Sequence, residues 1–430
     1  MIDSGVTREE VPPGYQRTEV GVIPEDWDIK TFNDVTLKIQ DGTHFSPRLG
    51  GNDYLYVTSR NIGPGKLDVS DVERISKEEH RKIYARCDTK KGDLLLTKDG
   101  VNTGNAAINT LNEECSLLSS VAFLRFDMER HDPRFYLYFI LSDEGQKQIK
   151  SLMSGNAITR LTLQKIRRLI IPVPLLPEQR AIATALSDVG ELIGALDALI
   201  EKKRAIKQAA MQQLLTGKTR LPGFSSEWET KRLGDVGVFS KGRGIKRDDV
   251  SDGGVPCIRY GELYTRYYNY VTTPVSRIPM TVAQTALPIK TGDLLFAGSG
   301  ETAEDIGRCA AYLGDEQAYV GGDIIVLTPS GQNSMYLGYL MNCSSVAAQK
   351  ARLGQGDAVV HISATNLARV EINLPPIDEQ RAIATFLSDM DTEIAALERR
   401  REKAEQIKQG MMQQLLTGRI RLVEPPGTAA

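Results

Sequence analysis

The sequence contains an internal repeat, and this repeat restricts the fold more than any other feature. EQRAIATALSD at 178–188 recurs as EQRAIATFLSD at 379–389. Between 174–221 and 375–422, about 28 of 48 residues are identical at a constant offset of 201 residues, with no gap. Chance similarity does not produce such a match, so the chain carries two copies of one structural unit.

The repeat continues into the more divergent parts of the chain. EDWDIKTFNDV (25–35) aligns with SEWETKRLGDV (226–236), so that the two tryptophans of the chain coincide. KKGDLLL (90–96) aligns with KTGDLLF (290–296) at an offset of 200. Each copy therefore consists of a variable block of roughly 150 residues, followed by a well-matched block of roughly 40.

The well-matched blocks have the apolar spacing of long amphipathic helices. Their apolar residues recur at steps of three, four and seven, which indicates a helix with a coiled-coil-like seam. Gly217 and Gly418 suit the position that follows a helix end, so we predict helices over 176–217 and 377–420. Each helix would be roughly 60 Å long, and because both carry the same stripe we expect them to pack on each other. The predicted seam residues are Ile182, Val189, Leu196, Ile206, Ile383, Met390, Leu397 and Ile407.

The variable blocks, 15–175 and 218–376, have the pattern of mixed α/β domains. Short β-rich runs such as YLYVTS, GDLLLT and DIIVLT are bounded by Gly, Asp, Asn and Pro. A helical run at 134–152 lies among the strands of the first block, and both blocks end in an apolar strand that leads into proline. The sequence therefore predicts a mixed α+β fold class, in which two α/β domains alternate with two long helices.

Composition and charge exclude several classes of protein. The 53 Lys+Arg and 55 Asp+Glu give a formal net charge of -2, so the chain is no polycation that binds nucleic acid by bulk charge. No stretch reaches the roughly 18 apolar residues of a membrane span, and no apolar signal core is present at the N-terminus. The five cysteines are far apart without C-x-x-C, and the four histidines are isolated. We therefore expect a protein of the reducing cytoplasm, without a disulfide framework or a bound metal.

Four short signatures occur twice in the same order. They are [DE]W-x-x-x-x-[LF]-x-D-V, a G-D-[LI]-L strand, an E-Q-R-x-I helix start and a Q-x-L-L-T-G helix end. This combination spans about residues 15 to 422. It resembles the specificity subunit of type I restriction-modification systems.

The resemblance implies a fold and a function. Two target-recognition domains would be separated by two long antiparallel coiled-coil helices, in a pseudo-twofold arrangement. Each domain would read one half of a bipartite, asymmetric site in double-stranded DNA, and the halves should differ because the variable blocks differ. The subunit would dock two methyltransferase subunits, which recruit the restriction subunits, and would have no catalytic residues and no cofactor of its own.

Two functions of other classes remain open from the residues. LLFAGSGETA (294–303) imitates the glycine-rich loop of an S-adenosylmethionine or dinucleotide site, which would make the chain a degenerate methyltransferase. However, the aligned segment 94–104 keeps only one of these glycines, and the residues that follow 303 look like a strand rather than a helix. GKT at 217–219 lacks the rest of a phosphate loop. A coiled-coil scaffold without DNA reading is the second alternative, and a positive face shared by both variable blocks would argue against it.

Basic and aromatic residues of the second variable block are candidates for DNA contacts. KGRGIKR (241–247) and IRYGELYTRYYNY (258–270) interleave cations with tyrosines, a pattern that suits phosphates and base edges. Two further loops, at 298–303 and 354–361, carry serine, glutamine and histidine. The predicted DNA contacts of this block are Lys241, Arg243, Lys246, Arg247, Arg259, Tyr260, Arg266, Ser299, Gln355 and His361, with Tyr264, Tyr267 and Tyr268 as further aromatic candidates.

Polar loops at the corresponding places of the first block supply a second set. They are QDGTHFSPR (40–48), TSRN (58–61), KDGVN (98–102) and SGNAITR (154–160), which are less basic but polar. Asparagine and glutamine can pair with adenine, and arginine and lysine with guanine or with phosphates. The predicted DNA contacts of this block are His44, Ser46, Arg48, Ser59, Arg60, Asn61, Lys98, Asn102, Asn156 and Arg160.

Overall fold

A computed structural model describes residues 11–153, 160–356 and 359–424. The chain divides into two compact units, and each is considered by itself. Unit 1 is Met1–Leu196 with Arg400–Ala430, and unit 2 is Asp197–Arg399. Each unit therefore combines one variable block with a part of both long helices.

Unit 1 contains strands and short helices followed by the first long helix. Its strands are β1 (Tyr15–Thr18), β2 (Gly21–Pro24), β3 (Asp28–Thr31), β4 (Thr36–Asp41), β5 (Leu49–Val57), β6 (Ile62–Gly63), β7 (Lys66–Leu67), β8 (Glu73–Ile75), β9 (Leu94–Thr97), β10 (Ala106–Ile108), β11 (Cys115–Leu117), β12 (Val121–Phe126) and β13 (Ile170–Val173). Its helices are α1 (Phe32–Val35), α2 (Lys77–Tyr84), α3 (Pro133–Leu141), α4 (Asp143–Met153), α5 (Leu163–Arg167) and α6 (Leu176–Leu214), which continues into unit 2. The predicted helical run at 134–152 is thus two helices, which Ser142 separates.

A four-stranded sheet forms the centre of unit 1, in the order β10-β9-β12-β4, and a second sheet has the order β11-β5-β8. Leu94 and Leu96 of β9 belong to a core that includes α3 and the start of α6, whereas Leu95 belongs to the core beneath the second sheet. Successive side chains of a strand point to opposite faces. The central sheet is therefore buried on both faces, which explains its continuous apolar sequence.

Unit 2 likewise contains strands and short helices followed by a long helix. Its strands are β14 (Glu229–Arg232), β15 (Gly237–Lys241), β16 (Val255–Ile258), β17 (Tyr270–Val271), β18 (Ser276–Ile278), β19 (Leu287–Ile289), β20 (Leu294–Ala297), β21 (Ser299–Gly300), β22 (Cys309–Tyr312), β23 (Ala318–Val320), β24 (Ile324–Pro329), β25 (Val360–His361) and β26 (Glu371–Leu374). Its helices are α7 (Glu262–Thr265), α8 (Met280–Ala283), α9 (Ser334–Met341), α10 (Ser344–Leu353), α11 (Ala364–Leu367) and α12 (Ile377–Leu415), which continues into unit 1.

The central sheet of unit 2 has the order β15-β24-β20-β22-β17 and is also covered on both faces. Leu294 and Phe296 of β20 lie in the core next to the long helices, whereas Leu295 and Ala297 lie in the core on the opposite face. The mixed α/β fold with an internal repeat, predicted from the sequence, is confirmed.

The two long helices are antiparallel within each unit. In unit 1, Ile182 and Leu186 near the start of α6 share a core with Leu415 at the end of α12. In unit 2, Leu214 at the end of α6 shares a core with Ile383 near the start of α12. Both arrangements place the start of one helix beside the end of the other.

The buried seam of the helices differs from the predicted seam at two positions. Ile206 is 46% exposed and Ile407 is 48% exposed, so the prediction was wrong for both. Apolar spacings of three and four residues are compatible with more than one buried face of the helix. The observed seam includes the neighbouring Lys207, which forms an ion pair with Asp391. The other predicted seam residues are buried or partly buried: Ile182, Val189, Leu196, Ile383, Met390 and Leu397.

A buried ion pair closes each unit at the end of a long helix. Arg421 follows α12 and donates from Nε and Nη2 to the carboxylate of Glu178, at 2.5 and 2.7 Å. Glu178 also accepts a hydrogen bond from Nε1 of Trp27 at 3.1 Å. The residues at the repeat positions in unit 2, Arg220, Glu379 and Trp228, form the same cluster. The sequence repeat is therefore also a repeat of tertiary contacts.

The GKT segment is a helix end rather than a phosphate loop. Gly217 has a φ of 71° and Gly418 a φ of 67°, the left-handed conformation that glycine adopts most easily after a helix. None of the described helices combines the length and the hydropathy needed to cross a membrane.

Candidate nucleic-acid interface

The loop after β20 meets the segment before the last strand of unit 2. Strands β21 and β25 pair antiparallel, with Ser299 opposite His361. The backbones of Gln355 and His361 exchange two hydrogen bonds, at 2.8 and 2.9 Å. Oγ of Ser299 lies 3.0 Å from Nδ1 of His361, so the other ring nitrogen remains for another partner. The fold thus brings together three residues that were predicted from two separate loops.

These three residues line a cleft of about 350 Å³, here named the His361 cleft. Lys241, at the end of β15, and Asp323, just before β24, contribute to its walls. Ser299 is 9% exposed, whereas the side chains of Gln355 and His361 are exposed. The cleft offers imidazole, amide and ammonium groups, which are groups that proteins use on base edges and phosphates.

A second cleft, of about 550 Å³, shares Gly322 and Asp323 with the first and is named the Arg259 cleft. The predicted residues on its walls are Lys246, Arg247, Arg259 and Tyr260. Glu262, which is 4% exposed, accepts hydrogen bonds from N and Nε of Arg259 at 3.2 and 3.0 Å. Glu262 therefore fixes the direction of the guanidinium group, and the two clefts form one polar surface.

Arg243 extends from the turn that follows β15. A Cβ atom on the preceding Gly242 would lie 1.9 Å from the carbonyl oxygen of Gly321, so only glycine allows this close approach. The contact holds the loop against the 321–323 turn, at the edge of both clefts. Arg243 is exposed, and within the described part of the chain no hydrogen bond or ion pair engages its side chain.

Three other predicted residues of unit 2 do not line these clefts. Arg266 lines a separate groove of about 970 Å³ beside the long helices, with Lys207. Tyr264 donates a hydrogen bond to the carbonyl oxygen of Ser299 at 2.9 Å, and the hydroxyl of Tyr267 accepts one from a backbone amide at 2.8 Å. Burial raises the pKa of both tyrosines to about 12. The hydroxyl groups of Tyr264 and Tyr267 therefore support the fold, which argues against DNA contacts by these groups.

The backbone of unit 1 has the same arrangement at the corresponding place. The amide of Leu161 donates to the carbonyl oxygen of Lys98 at 3.0 Å, just as the amide of Ile362 donates to that of Gly298 at 3.0 Å. Lys98 and Gly298 are therefore equivalent, and so are the residues that follow them, Asp99 and Ser299. Leu161 and Ile362 are equivalent as well, so the residues that precede them, Arg160 and His361, also correspond.

In unit 1 this place holds a cluster of alternating charges. Nε of Arg160 lies 2.8 Å from Oδ1 of Asp99. Nζ of Lys98 lies 3.5 Å from Asp99 and 3.3 Å from Asp41. Lys98 is 3% exposed and is already paired with the buried Asp41 and the partly exposed Asp99, which argues against a direct DNA contact by this residue. The side chain of Arg160 is 43% exposed and forms the outer end of the cluster.

The loop after β4 places its predicted residues at the surface. His44, Ser46 and Arg48 are exposed. Nε2 of His44 lies 3.3 Å from Oδ2 of Asp41, which joins this loop to the charge cluster. These three residues therefore stay in the predicted interface of unit 1.

A cleft of about 400 Å³ lies at the end of β5 and includes Ser59, Arg60 and Asn61. Arg60 is exposed, whereas Asn61 is 6% exposed. Oδ1 of Asn61 accepts a hydrogen bond from the amide of Thr58 at 2.9 Å, and its Nδ2 donates to the carbonyl oxygen of Asp68 at 3.1 Å. Both ends of Asn61 are used within the fold, which argues against a direct DNA contact by this residue.

Two more asparagines were predicted in unit 1. Nδ2 of Asn102 donates to the carbonyl oxygen of Ser59 at 3.3 Å, so it joins two predicted loops rather than projecting from them. Asn156 lies outside the described residues.

Sequence reasoning missed the carboxylates that orient the cations. Glu262 holds Arg259 and Asp99 holds Arg160, yet neither acid was selected. One signal was available for Asp99, because the offset of 200 around the G-D-L-L strand aligns it with Ser299.

The structure argues against the glycine-rich loop as a cofactor site. β20 is followed by β21 and then by β22, which pairs antiparallel with β20. A dinucleotide or S-adenosylmethionine loop needs a helix whose N-terminus faces the ligand, and this position holds a strand. Among the described residues, no group of three or more His, Cys, Asp or Glu is placed to hold a metal ion.

Comparison with known proteins matches both copies of the repeat. A family model described as the type I restriction modification DNA specificity domain matches residues 24–204 and again residues 225–409. The putative type I restriction enzyme MjaX specificity subunit of Methanocaldococcus jannaschii is 26% identical over 433 residues, which covers 95% of this chain and 97% of the relative. The EcoKI specificity subunit of Escherichia coli is 22% identical over 411 residues, which covers 84% and 82%.

Two solved structures have a similar fold. The type I restriction-modification S subunit from M. genitalium has a TM-score of 0.58 at 17% identity, over 90% of this chain and 96% of that chain. A chain from a study of complex assembly and conformational transition of the type I R-M system has a TM-score of 0.56 at 20% identity, over 93% and 99%. At these identities the likeness concerns the fold.

Proposed function

The chain belongs to the family of type I restriction-modification DNA specificity proteins, and from this premise we propose that it reads a bipartite, asymmetric DNA site, one half with each unit. Its role is recognition of DNA sequence rather than catalysis. The two halves of the site differ because equivalent positions of the two units carry different side chains. Where unit 1 has Asp99 and Arg160, unit 2 has Ser299 and His361.

The joined His361 and Arg259 clefts carry this proposal. Residues from four separate stretches of sequence converge there on one polar surface. Phosphate contacts position a protein on DNA and contacts to base edges supply sequence selectivity. The proposed DNA contacts of unit 2 are Lys241, Arg243, Lys246, Arg247, Arg259, Tyr260, Ser299, Gln355 and His361.

In unit 1 we assign the same role to the loops around the charge cluster. The proposed contacts there are His44, Ser46, Arg48, Ser59, Arg60 and Arg160. This set is less basic than that of unit 2, so we expect unit 2 to contribute the larger share of the phosphate contacts.

The remaining parts of the chain serve assembly in this proposal. Residues 15–175 and 218–376 are the two target-recognition domains, and 176–217 and 377–420 are the spacer helices. Two methyltransferase subunits dock on the chain, methylate adenine at the site and recruit the restriction subunits. The complex works in the cytoplasm. Because the net charge is -2, much of the phosphate neutralisation comes from these partners, and the isolated chain binds DNA weakly.

Exchange of one recognition block tests the proposal. Residues 226–370 are replaced by the corresponding block of another family member, and methylated motifs are determined by long-read sequencing of a host that carries the chain with its modification subunit. We expect one half of the motif to change and the other half to remain. A matched control carries the native block between the same junctions. An unaltered motif in the exchanged protein would contradict the proposal.

A further inference from the structure

The equivalent pairs Asp99–Arg160 and Ser299–His361 have a common design. In each pair, the residue just past the end of a central strand contacts the inner nitrogen of a longer side chain. Nε of Arg160 faces Asp99, and Nδ1 of His361 faces Ser299. Each longer side chain keeps its outer nitrogens for another partner, and each is more exposed than the residue that holds it.

The charge cluster around Arg160 fixes the direction of its guanidinium group. Asp99 is 25% exposed in its side chain and is held in turn by the buried Lys98, which Asp41 also contacts. Among the described residues, Nη1 and Nη2 of Arg160 have no hydrogen-bond partner. A guanidinium oriented in this way presents two parallel N–H donors outward.

We propose that Arg160 is the guanine-reading residue of unit 1 and that Asp99 is its positioning residue. This inference rests on the proposed function and specifies it. Guanine presents two acceptors, O6 and N7, in the major groove, and these match the two outward donors of arginine. Adenine presents an acceptor beside a donor, and pyrimidines present no such pair of acceptors, so the same fork discriminates against them.

The charges of the cluster favour a base edge over a phosphate as the partner. Lys98 and Arg160 carry two positive charges, and Asp41 and Asp99 carry two negative charges, so the cluster is neutral as a whole. A carboxylate at 2.8 Å from the guanidinium also repels an approaching phosphate. Base edges carry partial charges only, and a neutral, oriented pair suits them. In unit 2, phosphate contacts are better served by exposed cations without such a partner, for example Arg243.

The test compares DNA binding by the purified complex of the chain with its methyltransferase subunits. The probes are duplexes with the methylated motif of the wild-type complex and every single base-pair substitution of that motif. We expect the wild type to select one G·C pair in one half of the motif by roughly 10- to 100-fold. Arg160→Gln should bring the discrimination at that pair close to one-fold and Arg160→Lys should reduce it, with the other positions unchanged.

Two further variants separate positioning from general structural damage. Asp99→Asn should weaken discrimination at the same base pair, because Asp99 holds the guanidinium group of Arg160 in place. A merely structural defect would instead lower binding to all duplexes alike. His361→Gln should alter the other half of the motif. The matched control is Arg130→Gln, at a side chain that is 80% exposed and outside the proposed interface, and it should leave the profile unchanged.

Several results would overturn the assignment of Arg160. The first three are an unchanged binding profile in the Arg160 variants, a uniform fall in affinity across all duplexes, and the absence of a G·C pair from that half of the motif. The fourth is loss of all binding in both Arg160 variants, because one residue that reads a base pair contributes no more than about 100-fold in affinity. The proposed function fails by a different result, namely a wild-type complex without a bipartite motif. A bipartite motif that Arg160 variants do not affect would refute only the further inference.

Discussion

Replacing Lys350 with methionine should stabilise unit 2 at neutral pH. Lys350 lies on α10 and is 2% exposed, and its Nζ donates a hydrogen bond to the carbonyl oxygen of Gly307 at 2.6 Å. Among the described residues, no carboxylate lies within ion-pair distance of this ammonium group. The repeat places Ile149, which is 1% exposed, at the corresponding position of unit 1. The site therefore suits an apolar side chain in one copy and holds a charge in the other.

The size of the effect follows from the pKa of Lys350, which burial lowers from 10.5 to about 8. Each unit by which the pKa is lowered corresponds to about 1.4 kcal/mol, so burial of the charged form costs about 3 kcal/mol. Methionine removes this cost but leaves the Gly307 carbonyl without its donor, which costs about 1 kcal/mol. The expected gain in the free energy of unfolding is about 2 kcal/mol at pH 7.

The pH dependence of the stability gain provides a second test of the predicted stabilisation. The folded protein binds the lysine proton less tightly than the unfolded chain does, so the cost is fully present below pH 8. As the pH rises from about 8 towards 10.5, folding with a deprotonated Lys350 costs progressively less free energy, so the wild type recovers stability. The difference between variant and wild type should therefore decrease by about 2 kcal/mol between pH 7 and pH 10.

Urea unfolding measures this difference. A Trp27→Phe background leaves Trp228 as the fluorescent reporter of unit 2, and both proteins are compared at each pH so that other titrating groups cancel. Lys202→Met, at an exposed position of α6, is the matched control and should show no pH-dependent gap. A gap for Lys350→Met that stays constant from pH 7 to pH 10, or a wild type that is the more stable at pH 7, would refute the reasoning.

Three further predictions concern the closure, the clefts and the helices. Arg421→Ala leaves the buried carboxylate of Glu178 without its cation, so unit 1 should lose about 3 kcal/mol in thermal or urea unfolding, and an unchanged midpoint would contradict this. Arg243→Ala and Arg259→Ala should each weaken binding of DNA by the complex, and at a phosphate contact the slope of log affinity against log salt should fall by about one; unaltered affinity at both would count against the clefts. Insertion of one helical turn within 190–200 should change the spacing between the half-sites or abolish activity, whereas an unchanged spacing with full activity would show that the helices do not set it.

The sequence predicted the elements well because their signals are local or repeated. Helix ends could be located because Gly217 and Gly418 adopt a left-handed conformation that other residues avoid. The choice of seam was not local: whether Ile206 or Lys207 faces the partner depends on the acid opposite, Asp391, which is 184 residues away. A periodic pattern cannot supply that information.

The predicted interface shows the same division between local and distant signals. A polar loop next to glycine was enough to select Ser299 and His361, whose strands pair across 62 residues. The same reasoning selected Lys98, although Asp41 neutralises it inside the fold. Loop composition identifies candidate polar side chains, but their burial and their partners in the fold decide whether they can reach a ligand.

The ion pair between Glu178 and Arg421 also has a consequence for synthesis of the chain. Unit 2 is continuous in sequence, whereas unit 1 needs residues from both ends, including Leu415 and Leu416 of its core. On the ribosome, unit 2 can complete its core while the last helix is still being made. Unit 1 must wait with part of its core uncovered until Leu415 and Leu416 have been made, so the segment that is synthesised first completes its fold after the segment that follows it.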